Sequence, residues 1–429
     1  MFGRLNISTP SSLIPKFLSS KNPSAINIPP VKVHEIDAAP TKPARALKHL
    51  LKLNHVNHAI LFNDRQFHNH MPHILSSAYL MGGDADHLEH VYEEESKMLV
   101  PWEDSPSEIT KDDWRDYLGK REWVFAFPPS CLAGLKRGET VVNKAIRYER
   151  AFVDFFEDEL VHHGYDWKAV VNEFLFSGKE PLFNGLVAGL GHPLIHLGYA
   201  FEMSNCEIAM EALGLATTNY NYIHKYLDDP SYSRRQPPHK SDSPLVILER
   251  IRKDERLNGS EGDLDKVFEN YEDALLDHWN EWDITDPVKQ LEQSDQDIVA
   301  LFTATGRDQF DFFLVHLLTT SHAVRILIPV IPEEYHLPLL RQWWLIVVAI
   351  YIAQGRPNID LDLIRHHDLK GRDWKWAEKK AVEAKWSTDA HYVKAIRAMK
   401  EFANVWGDPD EYYLKAAVKF AEEFDGWAF

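Results

Sequence analysis

Trp343-Trp344-Leu345-Ile346-Val347-Val348-Ala349-Ile350-Tyr351-Ile352-Ala353 is the most apolar stretch of the chain. It is about half of the ~20 residues a helix needs to cross a bilayer, so it reads as a helix buried in a protein core, and no membrane partner is expected. The sequence around it has the same character. Helical periodicity spans residues 307–330, 337–354, 373–384, 389–405 and 410–424 in the last third. Upstream, Ala44, Leu47, Leu50 and Leu51 open an amphipathic helix running toward His58. Further helices are expected near 70–80, 86–96, 140–163, 167–176, 181–217 with interruptions, 245–256 and 264–280. Period-two alternation of β-branched residues is almost absent. The expected fold is therefore all-α: a single large multi-helix domain over residues 41–429 with any metal site between helices. Residues 1–40 read as an extended arm, 101–140 as surface loops and short helices where a lid would sit, and the polar, Pro-rich 228–243 as a linker or loop.

Composition narrows the function classes. With 429 residues, 45% apolar and 26% charged, the chain has the balance of a folded enzyme-sized body. Its net charge of −18, without any clustered Lys/Arg run, argues against a nucleic-acid partner. Cys131 and Cys206 are too few for a disulfide framework, so a reducing, cytoplasmic setting is expected.

The 22 histidines are the anomaly, since several fall inside apolar helical stretches where an unpaired ring costs about 1–3 kcal/mol. In Phe67-His68-Asn69-His70-Met71-Pro72-His73, helical geometry puts His70 and His73 about 60° apart and sends His68 to the other side. Pro72 fits there only at a helix start. Gly191-His192-Pro193-Leu194-Ile195-His196 supplies the i, i+4 pair that chelates a metal from one helical face. Pro193 stands where a metalloprotease would carry its Glu base, which disfavours that route of hydrolysis. His316 and His322 are about 120° apart on one helix, so only one reaches a common centre. His316, in the more apolar part, is the choice, with His322 and Arg325 in a polar network. Along Asp389–Arg397, His391, Lys394 and Arg397 form a stripe, and an inward Lys must be paired, depressed in pKa, or converted by carbon dioxide to a carbamate. Each of these groups alone also fits a satisfied core residue or, for Lys394, a solvated one. Glu159-x-x-His162 is the one convincing helical Glu-x-x-His, too few for a di-iron bundle, and no dinucleotide fingerprint or phosphate loop is present.

These motifs in this order resemble the questin oxidase-like family of fungal polyketide pathways, from about residue 45 to 405. The resemblance implies oxygen-dependent C–C cleavage of an anthraquinone or its reduced form, opening the central ring in secondary metabolism. It also implies either a non-haem Fe(II) dioxygenase with histidine ligands and a carboxylated lysine, or an NADPH-dependent Baeyer–Villiger-type oxidase. The missing nucleotide fingerprints favour the first. The lysine maps onto Lys394, ahead of Lys375 and Lys385. Which four of His58, His70, His73, His192, His196, His316, His322 and His391 touch the metal stays open. The set taken forward is His73, His192, His196, His316 and Lys394 around Fe(II), with O2 as co-substrate, carbon dioxide bound as the lysine carbamate, and His70 and His391 orienting ligands or moving protons. A zinc hydrolase and a metal-free polyketide-binding protein remain as rivals.

Overall fold

The computed structural model describes residues 25–63, 67–124 and 144–429, and only the backbone of 121–124 and 144–147. Three helices with no wet face organise it: α6 (His192–Met203), α12 (Leu314–Leu327) and α13 (His336–Ala353), which carries the apolar run. All 14 residues of α12 are buried. The 333–353 stretch, the one among the described residues long and apolar enough to cross a membrane, has 83% of its apolar window inside the protein. At about 1.5–3 kcal/mol per large apolar side chain, burial of this kind is what drives the helices together.

Helix α7 (Cys206–Thr218) folds back on α6, and α4 (Glu149–His162) and α5 (Trp167–Phe176) cover α7. On the other side, α12 meets α11 (Pro287–Thr303) and α15 (Ala390–Trp406), while α2 (Met71–Leu80) packs on α15, α6 and α1 (Lys42–Asn57). Close approach of α6 to α12 depends on glycine. A Cβ on Gly198 would lie 3.2 Å from the Ala323 Cβ, and one on Gly191 would meet the Thr320 Cγ2 at 2.4 Å. Gly191 is also left-handed, with φ +77°, which only glycine adopts cheaply.

The all-α expectation holds, with two-residue strand pairs at Leu61–Phe62 with Phe67–His68 and at Phe310–Asp311 with Trp427–Ala428, and a four-residue pair of Arg121–Val124 with Lys144–Arg147. Several boundaries move. The 140–163 helix starts at Glu149, because 144–147 is strand. The 307–330 helix starts at Leu314, where Asp311 accepts the Phe313 and Leu314 amides at 2.8 and 3.0 Å and caps the turn. The 264–280 helix breaks at Tyr271 into Leu264–Asn270 and Glu272–Glu281. Helix α11 was not expected at all: its buried Gln290, Ser294, Asp295 and Asp297 interrupt the apolar stripe. They are satisfied internally, Asp295 by Ser321 and by Trp406 Nε1 at 2.7 Å, Gln290 by four backbone groups.

Residues 228–243 do not hang free. Asn280 donates to the Tyr232 carbonyl at 2.9 Å, Arg235 pairs with Asp273 and Asp277, and the Ser241 amide bonds to Glu281 at 2.8 Å. The described end of the arm is extended and attached, with Ile26, Ile28 and Ile36 buried and the Ile26 amide on His336 Nδ1 at 2.9 Å. Residues 1–24 of the arm, Cys131 and residues 125–140 of the expected lid lie outside the described residues.

Candidate metal centre

Four helix starts converge. His70 occupies the position just before α2, His192 opens α6, His316 lies in the first turn of α12, and His391 is second in α15. One ring nitrogen from each lies within 4.8 Å of those of the other three. The Nε2 atoms of His70 and His192 are 2.8 Å apart, and those of His316 and His391 are 3.3 Å apart.

Local sequence explains each placement. Asn69, fully buried, donates to Asn54 Oδ1 and the Ala59 carbonyl at 2.9 and 3.1 Å and accepts the Met71 amide at 2.9 Å, locking the turn that carries His68 and His70. Gly189, Leu190 and Gly191 are all left-handed, which turns the Gly189 carbonyl back to accept His192 Nδ1–H at 2.6 Å. His316 Nδ1–H donates to the Phe312 carbonyl at 2.7 Å. Both carbonyls fix the Nδ1–H tautomer and leave the Nε2 lone pairs facing the cluster, the arrangement metal-binding histidines need. His68 stacks on His192, centroids 3.8 Å apart and 4° from parallel, fixing that ring's plane.

Burial above all, then nearby Lys394 and, for all but His316, repulsion from neighbouring imidazoles, holds His70, His73, His192, His316 and His391 below the ordinary imidazole pKa, so these rings are neutral. Four neutral imidazoles crowded lone pair to lone pair suit a cation at their centre, and metal–nitrogen bonds of about 2.0–2.1 Å fit a span of this size. The donor set fits a divalent transition metal.

The structure brings together His192 and His316 from the expected ligand set, but joins to them His70 and His391, which sequence placed in supporting roles. His73 and His196 stand beside the quartet, not in it. The His192/His196 pair divides between the two neighbours on α2, and His73 Nε2 bonds His196 Nδ1 at 2.7 Å. Spacing showed that His192 and His196 share a face and could not show that two different partners wait there. Lys394 is 2% exposed and its Nζ has no hydrogen-bond partner among the described residues. Burial pushes its pKa down to about 7, against the pull of Asp389 and Glu95. Arg397, one turn on, is paired with buried Glu202 and lies over the Tyr199 ring. His322 lines a small cavity with Tyr199, Thr319 and Lys394. His58 lies half-buried against Tyr92, and Lys375 and Lys385 are exposed.

Sequence reading missed three residues behind the quartet. His196 Nε2 is 3.6 Å from Glu211 Oε2. Glu211 Oε1 accepts His55 Nδ1–H at 2.9 Å, and His55 Nε2–H reaches Glu157 at 2.6 Å. The signal was available: Glu211 interrupts an apolar helix at Ile208-Ala209-Met210-Glu211-Ala212-Leu213, and His55 lies on the buried face of α1.

The sequence model of a family described as questin oxidase-like matches residues 67–128 and 143–399. The questin oxidase of Aspergillus terreus is 23% identical over 389 residues, covering 86% of this chain and 82% of its own. The Baeyer–Villiger oxidase mdpL of Emericella nidulans is 24% identical over 91% of this chain and 90% of its own. The questin oxidase of Aspergillus fumigatus is 25% identical, over 85% and 82%.

Proposed function

The chain belongs to the questin oxidase-like family and so is an oxidoreductase of the polyketide-oxidase type, and from that premise we propose that it opens the central ring of an anthraquinone-type polyketide at a non-haem iron centre. The observation that carries the metal reading is the quartet of His70, His192, His316 and His391, two of them held as Nδ1–H tautomers by backbone carbonyls. These four residues would hold the metal. Lys394 would add an anionic oxygen donor once its neutral amine condenses with carbon dioxide, the N–C bond forming as the amine gives up a proton. Bound there, Fe(II) would supply the spin-allowed path for reaction of O2 with an electron-rich ring.

The substrate form that matches this site is the hydroquinone, which brings its own two electrons. Hydroquinone and O2 would together give a ring-opened keto acid that also bears a new phenolic hydroxyl, one oxygen atom going to each carbon of the broken C–C bond, so that atoms and electrons balance without an external reductant. The protein's part is positional. His68 and the two carbonyl bonds keep the ligating rings from rotating. Phe312, with its ring 4.6–5.0 Å from those of His316, His391 and exposed Phe429, offers an aromatic wall for a flat ring system.

Anaerobically purified protein should contain about one iron per chain and convert a reduced anthraquinone on admission of O2, without NADPH, placing two labelled atoms from 18O2 in the product. A Baeyer–Villiger oxidase, the activity in several relatives' names, would place one and require NADPH even with reduced substrate. Zinc in place of iron, or turnover indifferent to chelators, would overturn the iron reading.

A further inference from the structure

We propose that His73, His196, Glu211, His55 and Glu157 form a proton relay from the histidine quartet to solvent, with His55 governing passage. The relay rests on the oxidase reading above, because that reaction creates the demand for it. A neutral hydroquinone that ends as a carboxylate releases a proton, and a flat substrate seated over the quartet blocks the direct way out.

The geometry lines up a path across five helices. It begins on α2, where the His73 ring lies 5.5 Å from that of His70 and its Nδ1 is buried without a partner among the described residues. His73 Nε2 to His196 Nδ1 is 2.7 Å, His196 Nε2 to Glu211 Oε2 is 3.6 Å, Glu211 Oε1 to His55 Nδ1 is 2.9 Å, and His55 Nε2 to Glu157 Oε1 is 2.6 Å. Two steps are longer than a hydrogen bond: the entry from the quartet onto His73, whose ring is 5.5 Å from that of His70, and the 3.6 Å gap between His196 and Glu211, each closed by a small rotamer shift or one bridging water. The Glu211 side chain is 2% exposed, whereas that of Glu157 is 41% exposed, so the path starts dry and ends wet. His192 and His316 offer no such exit, since their outer nitrogens end on backbone carbonyls, which hold a proton but pass none on.

Each link can both take and give a proton, and the count balances. A proton arriving on His73 Nδ1 displaces the Nε2 proton to His196 Nδ1. His196 passes its own Nε2 proton to Glu211. Loss of the Glu211 charge makes the His55 imidazolium a stronger acid, and it releases Nε2–H to Glu157 and water. One proton enters and one leaves, and ring and carboxyl rotations reset the chain. The groups facing His55 are Glu157 on α4 and Glu211 on α7, with Arg150 acting on Glu157 and His58 and His196 acting on Glu211. Burial alone would lower the His55 pKa, but the two carboxylates outweigh it and raise it to about 10, so His55 rests as the doubly protonated donor.

The test compares wild type with His55→Gln, which keeps a hydrogen bond but cannot carry a proton, in the full-length chain labelled with 15N-histidine. Without metal, exchange of the His196 ring proton with water should slow at least tenfold in His55→Gln. With metal loaded, turnover should fall by a similar factor at unchanged metal content, with a larger solvent isotope effect and rescue by added imidazole. Equal exchange in the two proteins overturns the relay whatever the enzyme's activity, as does a turnover loss that only tracks lost metal. If His55→Gln does not fold, Glu157→Gln at the wet end decides by the same exchange measurement. Wild type that neither binds iron nor turns over would sink the oxidase reading alone, leaving the exchange comparison to judge the path.

Discussion

Helices α2 and α6 each contribute a histidine to two different assemblies. His70 and His192 meet Nε2 to Nε2 at 2.8 Å in the quartet, while His73 and His196, one turn on, meet at 2.7 Å in the chain leading to Glu211. The residue type is the same in both, and three of the four rings are buried, with His70 half-buried at the start of α2. What differs is the group on the far nitrogen. A backbone carbonyl on His192 Nδ1 leaves a lone pair that faces inward permanently, which suits a metal ligand. A carboxylate beyond His196 Nε2 gives that ring somewhere to send a proton, which suits transfer. Division of labour among buried imidazoles is thus set by their outer partners.

The sharpest way to break this comparison is to make the same substitution at both positions of α6. His192→Gln should lower metal affinity at least ~100-fold and abolish turnover. His196→Gln should stay within ~10-fold of wild-type affinity, as expected for a residue outside the ligand set. Metal retained after dialysis against a weak chelator, measured by elemental analysis, reads both. Equal loss in the two variants would merge the assemblies into one.

Lys394 extends the contrast, its buried Nζ having no hydrogen-bond partner among the described residues. A buried unpaired amine costs stability, so Lys394→Met should leave the protein as stable or more stable, by on the order of 1 kcal/mol. If the carbamate is an iron ligand, the same variant should lose ~100-fold or more in turnover. A carbamate carbon signal from 13C-labelled carbon dioxide should appear in wild type and vanish in Lys394→Met. A strongly destabilised variant would show instead that the amine is held by a structural partner.

The quartet half of the comparison also depends on backbone that only glycine permits. Gly191→Ala should destabilise by about 2–4 kcal/mol and loosen metal binding, because the new Cβ meets the Thr320 Cγ2 at 2.4 Å in a left-handed residue. Adding Thr320→Ser removes that methyl and keeps the hydroxyl bonded to the His316 carbonyl. Thermal unfolding of the double variant should recover the steric part of the loss and leave about 1 kcal/mol of left-handed strain.

Much of this was legible in the sequence, for reasons tied to particular residues. Apolar periodicity placed α12, α13 and α15 because apolar residues recur along their buried faces even where His, Lys and Arg interrupt them. Helix α11 escaped because Asp295 and Gln290 find partners only in the folded protein, and the strand at 310–311 because its partner is 117 residues away, at 427–428. The fold class needs only local pattern. The histidine motifs lie on the segments that converge, since His70, His192, His316 and His391 all belong to them. Which of His70 or His73, and which of His192 or His196, face one another depends on the crossing of α2 over α6, information that no i, i+4 count contains.

The smallest effect expected concerns the relay's charged end. His55 is raised from 6.5 to about 10 in the folded protein, so its ion pairs stabilise fully below pH 6.5 and lose that contribution as pH rises toward 10. Glu157 is lowered chiefly by its bond to His55, and Glu211, against its burial, by His196 and His55 together, so their share is present above the ordinary Glu range near 4.5 and fades as pH falls further. The gap in unfolding free energy between wild type and His55→Gln should therefore be widest near pH 5–6, on the order of 2 kcal/mol after discounting for half-exposed Glu157, and should close by about pH 10. Denaturant melts at pH 6, 8 and 10 measure it. A gap independent of pH would mean that His55 is neutral in the fold and holds α1 to α7 by shape alone, which would remove the doubly protonated donor from the relay and leave the quartet untouched.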